Sequence, residues 1–404
     1  MTTPDDGRNG SLQRRREAEI KEELGRVERL LGEYGLSGTG PLLLITGGMH
    51  GNEAGGVLAA RRVFRRLAEL RPRMTGRFVA LTGNLGALQM GQRYIESDLN
   101  RMWSVAHVAG LAGQDPAADA PDERELRELH VHIKREIEAA QGAQVVFLDL
   151  HSTSAGGPPF SIMSDTLQNR AVALALPIPV ILGLEETVSN TSLEFFGEQG
   201  YVAVGVEGGQ HIDPATADNH EAVIWLSLVS AGLLKKDQVP EYDEHVRQLE
   251  GAALGLPSVV EILHRHGISP GDGFRMAPGY KNFHPIRRGQ MLGTDLTGEL
   301  RARFTGCVIL PSYQHQGDDG YFEGRRVSPF WFGLSAVLRR LRLDRLIPLM
   351  PGVRRHPDRK DALLVNPRVA RFRVVEVFHL FGFRRQRPEG DKLVFSRRPS
   401  GRWS

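Results

Sequence analysis

The sequence predicts an α/β fold: a central sheet with helices on both faces, then a small β-rich domain and a basic C-terminal extension. Three observations predict it. Short unbroken apolar runs recur between residues 41 and 206, separated by helical patterns. Turn signals take over after about residue 265. From Arg326 onward the chain carries 19 Lys and Arg against 6 Asp and Glu, a balance of +13 in a chain whose net charge is +3.

Residues 1–10 are polar and contain Gly and Pro, so disorder is expected there. Ile20, Leu24, Val27, Leu30 and Leu31 at helical spacing predict an amphipathic helix over 11–34, ended by Gly35 and the Ser37–Pro41 run. Pro41–Thr46 is continuously apolar up to its last residue and fits a buried strand. Residues 54–70 read as a helix stopping before Pro72, and Phe78–Thr82 as a second strand. Residues 122–140 form a charged amphipathic helix. Val145–Asp149, Pro179–Leu182 and Val202–Val206 complete the strands.

Beyond 265, turns at Gly271-Asp-Gly273, Pro278-Gly279, Arg288-Gly289 and Thr297-Gly298 mark a small β-rich domain ending near 325. In the extension, Trp331, Leu334, Val337, Leu338, Leu341 and Leu346 share one side of an arginine-rich helix. Phe372–Phe383 and Leu393–Phe395 predict a hairpin around Pro388–Asp391.

With 404 residues, 41% of them hydrophobic, the chain can bury a sizeable core. Cys307 is its one cysteine, which excludes an intrachain disulfide and a thiolate metal cage. Any metal must use His and carboxylate ligands. There is no apolar leader and no apolar window of roughly 18 residues, so a cytoplasmic protein is expected. The basic extension reads as a packed helix and hairpin with solvated arginines, or as a docking surface for an acidic partner or surface. It carries no nucleic-acid-binding motif, so no such partner is expected, and the sequence leaves a homo-oligomer open.

Polar chemistry interrupts the sheet pattern at two strand ends: Gly47-Gly-Met-His50-Gly-Asn-Glu53 and Asp149-Leu-His151-Ser-Thr153. Open α/β sheets bind ligands at the carboxyl ends of their strands. His50 and Glu53 lie three apart on a turn leading into a helix, and His151 reaches the same point from a neighbouring strand. Zinc accepts imidazole nitrogen and carboxylate oxygen, and hydrolytic sites leave one position open. Asp149 is a candidate partner for a ligating imidazole. Read alone, these strand ends fit either a metal site or a solvated loop.

His50-Gly-Asn-Glu53, Arg93-Tyr-Ile95, Asp98-Leu-Asn-Arg101, Asp149-Leu-His151 and Gly205-Val-Glu207 follow in this order. Together, over roughly residues 40–325, they resemble the succinylglutamate desuccinylase/aspartoacylase family of the zinc carboxypeptidase clan. The resemblance implies a zinc carboxypeptidase-like mixed central sheet and one Zn²⁺ held by His50, Glu53 and His151. It implies metal-bound water attacking an amide carbonyl, Glu207 as general base and Arg93 polarising the carbonyl. Asn100 and Arg101 would grip a substrate carboxylate, and Tyr321 would be contributed by the β-rich domain. The chain then divides into a zinc hydrolase domain over 11–265 with its N-terminal helix, a β-rich domain over 266–325 and the extension over 326–404.

One departure bears on substrate. No Lys or Arg lies between Arg170 and Lys235, where aspartoacylase-like members place an arginine that reads an acidic side chain. Arg101 is therefore expected to bind a single α-carboxylate, in a pocket not tuned to a second acid. The expected activity is deacylation of a small N-acyl amino acid. The competing readings are a peptide carboxypeptidase and a catalytically silent binding module.

Overall fold

The computed structural model describes residues 15–38, 40–314, 316–359, 362–366, 374–389 and 392–397. The segment 1–10, expected to be disordered, lies outside the described residues. The chain begins with helix α1 (15–24), strands β1 (Leu30–Gly35) and β2 (Leu42–Gly47), α2 (Gly55–Leu70), β3 (Arg77–Thr82) and α3 (Leu85–Met90). It continues with α4 (Val105–Gly113), α5 (Pro121–Ala139), β4 (Val145–Thr153), β5 (Phe160–Met163), α6 (Leu167–Ala173) and β6 (Val180–Leu182). Then come α7 (Leu184–Thr187), α8 (Ser192–Glu198), β7 (Val202–Gln210), α9 (Pro214–Ser230), α10 (Tyr242–Ala252) and β8 (Val259–Gly267). Short strands follow: β9 (Arg275–Met276), β10 (His284–Ile286), β11 (Met291–Asp295), β12 (Gly298–Arg301), β13 (Gly306–Ile309) and β14 (Asp319–Arg326). The extension holds α11 (Pro329–Arg340), β15 (Val353–Arg355), β16 (Ala362–Val365), α12 (Val374–Leu380), β17 (Arg385–Glu389) and β18 (Lys392–Ser396).

Among the described residues, eleven strands form one mixed sheet in the order β1-β3-β2-β4-β7-β5-β6-β8-β14-β13-β10. Strands β3, β2, β4 and β7 run parallel, and β5 runs against β7. Side-chain alternation sorts the apolar runs into two layers. Leu43, Ile45, Val146, Leu148, Val204 and Val206 pack on one face with Val63 and Leu67 of α2 and Trp225 of α9. Leu42, Leu44, Val145 and Phe147 pack on the other with Leu129 and Ile133 of α5 and Phe196 of α8. This is the predicted arrangement of helices on both faces.

Two element assignments change. The N-terminal helix stops by residue 24, and Leu30 and Leu31 belong to β1, which pairs antiparallel with β3. Gly25, at φ +48°, leaves the helical conformation, and backbone pairing at the sheet edge outweighs the helical spacing of the leucines. In the extension, the expected strand from 372 is helix α12 over Val374–Leu380; residues 372 and 373 lie outside the described residues. A short apolar run does not distinguish helix from strand. Here Phe378 turns inward, its ring 4.9 Å from that of Phe395 on β18. The hairpin is made by β17 and β18.

Strands β14, β13 and β10 continue the central sheet through β8, while β9, β11 and β12 form a separate three-stranded sheet. The extension adds a four-stranded sheet, β15-β16-β18-β17. It is tied to the body by charge. Asp165 lies within 2.9 Å of Arg170, Arg339 and Arg384, and Glu261 meets Arg384 and His379 at 2.8 Å. Burial alone would raise Asp165, but the three guanidiniums outweigh it and hold the carboxyl well below its ordinary range. No helix among the described residues is long and apolar enough to cross a membrane.

Candidate functional site

Strand alternation places Thr46, Asp149, His151, Gly205 and Glu207 on one side of the sheet near the carboxyl ends of β2, β4 and β7. The register pairs Thr46 with Asp149, and His151 with Glu207. His50 lies just past β2, and Glu53 follows on a turn closed by its N–H to the His50 carbonyl at 3.1 Å. Gly51 is required by packing rather than by ligand approach. A Cβ there would sit 2.0 Å from the Ala87 carbonyl carbon of α3.

His50, Glu53 and His151 are buried, and their ligand atoms lie within 4.8 Å of one another. The Nδ1 atoms of His50 and His151 face Glu53 Oε1 and Oε2 at 2.8 and 3.0 Å. Each Nε2 is engaged by a second carboxylate, Asp98 for His50 and Asp149 for His151, both at 3.1 Å. Asp149 in turn accepts from the hydroxyls of Thr46 and Ser192 at 2.6 Å. This pattern fits a metal ion. Two imidazoles turn the same nitrogen toward a shared carboxylate, and their other nitrogens meet orienting carboxylates. The electrostatics agree. Burial works against both charges, yet the histidines hold Glu53 well below its ordinary range, and Asp149 and Glu53 hold His151 well above its own. Glu53 and His151 thus favour each other's charged form.

Glu207 lines the same cavity, whose volume is about 120 Å³. Its Oε2 is buried without a hydrogen-bond partner among the described residues. Burial, with Glu53 adding to it, pushes its carboxyl up to about 8. Arg93 also lines the cavity, gripping Asp98 Oδ2 at 3.0 Å and lying 3.5 Å from Glu53. Asn100 and Arg101 reach the rim. Asn100 Oδ1 accepts the Ser192 N–H at 3.0 Å, and Arg101 is paired with Asp318 and Asp319.

Tyr321 is the one expected site residue that the fold takes away from the cavity. It is buried in a cluster with Met276, Leu292 and Val308, and its ring stacks on His266 at 4.9 Å. Its strand neighbour Phe322 faces the cavity instead, because successive residues of β14 point to opposite faces.

Several contributors had no assigned role in the sequence. Asp98 caps the short 3₁₀ turn Leu99–Arg101 through the Asn100 N–H. Asp122 of α5 organises the preceding loop, accepting from the N–H groups of Ile95, Glu96 and Ser97 and from Asn84 Nδ2. His220, pushed down to about 4 by burial, donates Nε2–H to the His151 carbonyl at 2.9 Å. It fits because residue 208 is glycine, where a Cβ would lie 2.5 Å from that nitrogen. Asp98 stood inside a quoted motif. Asp122 and His220 had no local signal, being ordinary polar residues on helices.

The fold and site define an α/β protein with a buried His-Glu-His metal-type centre at its strand ends, beside an isolated glutamate. Residues 39–226 match the model of the Succinylglutamate desuccinylase/Aspartoacylase catalytic domain. It is 36% identical over 74 residues to the succinylglutamate desuccinylase of Pseudomonas paraeruginosa, covering 18% of this chain and 22% of that protein's length. The succinylglutamate desuccinylase/aspartoacylase structure from Rhodobacter sphaeroides superposes with a TM-score of 0.51 at 20% identity, over 73% of this chain and 88% of the other. That of succinylglutamate desuccinylase from Vibrio parahaemolyticus gives 0.51 at 14%, over 76% and 95%. At such identities the superpositions establish the fold alone.

Proposed function

We propose that the chain is a cytoplasmic zinc-dependent hydrolase that cleaves the amide bond of a small N-acyl amino acid or a derivative of one. The observation that carries this is the meeting of His50, Glu53, His151 and Glu207 in one small cavity. Zinc bound there supplies Lewis acidity and lowers the pKa of water to about 7. Glu207 takes a proton from the attacking water and delivers it to the leaving nitrogen. Its buried, unpartnered oxygen beside the three donors supports that role. Arg93, anchored by Asp98, directs its guanidinium at the negative charge developing on the carbonyl oxygen.

The test combines metal content with a deacylation screen across N-acyl amino acids, their derivatives and short peptides. Glu207→Gln should keep the metal and lose about 10²–10⁴-fold in turnover. Unchanged turnover in that variant would remove Glu207 as the base, and bound zinc with no turnover of any compound by the wild type would instead support a silent module of the same fold.

A further inference from the structure

The expected anion clamp already has a partner inside the protein. Arg101 lies 2.7 Å from Asp319 Oδ2 and 3.2 Å from Asp318 Oδ1. Arg265 of β8 takes the remaining oxygens of the same two residues, 3.0 Å from Asp318 Oδ2 and 2.5 Å from Asp319 Oδ1. Two guanidiniums and two carboxylates thus form a closed network at the cavity rim, each charge matched. The loop is also held by its backbone: the Ile268 N–H donates to the Asp318 carbonyl at 2.9 Å.

The cavity offers no other cation to a substrate carboxylate. Among the described lining residues the permanent cations are Arg93 and Arg101, and Arg93 is held by Asp98. Against them stand Glu53, Glu185, Glu207 and Asp319. A free substrate carboxylate would find both of these guanidiniums already paired with carboxylates of the protein, where burial limits screening by salt. The rest of the wall mixes apolar residues, among them Ile162, Val188, Leu193 and Phe322, with uncharged polar ones such as Ser152, Thr191 and Ser312.

We propose that Asp318 and Asp319 occupy, from within the protein, the place of a substrate carboxylate on Arg101. The substrates are then N-acyl compounds whose amine side is uncharged, such as N-acyl amines and carboxamides of N-acyl amino acids, and not the free acids. This rests on the hydrolase reading above. The reaction consumes one water and breaks the amide C–N bond. The hydroxyl goes to the acyl carbon and the proton to nitrogen, releasing a carboxylic acid and an amine.

The test uses three matched compounds: N-acetyl-L-leucine, N-acetyl-L-leucinamide and N-acetyl-3-methylbutylamine. Each is assayed for kcat/KM and for calorimetric binding with zinc-loaded full-length protein, wild type and Asp319→Asn. Wild type should favour the two uncharged compounds by about ten-fold or more, and Asp319→Asn should narrow that gap by a similar factor. Asp318→Asn serves if the first variant fails to fold. Preference of the wild type for the free acid overturns the inference while upholding the hydrolase. So does an unchanged preference in both folded variants. If no compound is turned over, the hydrolase reading fails, and binding still decides: tighter binding of the uncharged pair supports the inference, and tighter binding of the acid overturns it.

Discussion

Asp149 Oδ2 lies 3.1 Å from His151 Nε2, two residues along the same strand. The period of two puts both side chains on one face, and the hydroxyls of Thr46 and Ser192 fix the carboxylate. The ring is thereby turned so that Nδ1 meets Glu53. Asp149→Asn should weaken zinc binding by about 10–100-fold without unfolding the protein. Competition with a chromophoric chelator measures this, and an unchanged affinity would show that the ring needs no such partner.

Zinc should stabilise the folded chain through the same three residues. At free zinc about 100 times Kd, mass action adds about 2.7 kcal/mol. Thermal melts with and without zinc should therefore differ for the wild type and coincide for His50→Ala and His151→Ala. A zinc-dependent shift that survives both substitutions would place the metal elsewhere.

Asp122 should act at a distance. It is fully buried and accepts from Asn84 Nδ2 at 2.6 Å and from the Glu96 and Ser97 N–H groups at 2.7 and 2.9 Å. Asp122→Ala leaves those donors unmatched, at a cost of about 1–3 kcal/mol or more. The same loop carries Arg93 and Asp98, so kcat/KM should fall while zinc content holds. Denaturant midpoints and metal analysis separate the two effects.

Acid should loosen the extension. Asp165 and Glu261 are both held below their ordinary range, against burial, by arginines and by His379. Because the folded values are depressed, their stabilisation is complete above the unfolded carboxylate range of about 4, and fades as pH falls below it. Limited proteolysis should release C-terminal fragments at about pH 3 but not at pH 6. Asp165→Asn strands Arg170, Arg339 and Arg384 and should expose the same sites at neutral pH, costing about 3–5 kcal/mol.

Tyr321→Phe should leave kcat/KM unchanged, because the hydroxyl lies in the cluster around His266 and away from the cavity. A large loss of kcat in this variant would return Tyr321 to the site.

The sequence by itself determined the elements whose signal is local. Apolar runs marked the buried strands, and polar residues at two of their ends marked His50, Glu53 and His151, because open α/β sheets place ligands at the carboxyl ends of their strands, while Glu207 came with the family resemblance. The same ordered motifs carried the family resemblance, which the match over residues 39–226 bears out.

Only the tertiary structure decided which distant residues meet. Asp98 reaches His50 across 48 positions, and Ser192 reaches Asp149 across 43. Asp318 and Asp319 reach Arg101 across 217 and 218, so the anion clamp could not be read as occupied from its own motif. Tyr321 and Phe322 are adjacent in sequence, and only the pairing of β14 with its neighbours settles which of them faces the cavity. The cause is common to all of these. Periodicity is a property of a few consecutive residues, whereas pairing, facing and charge matching depend on elements brought together by the whole core.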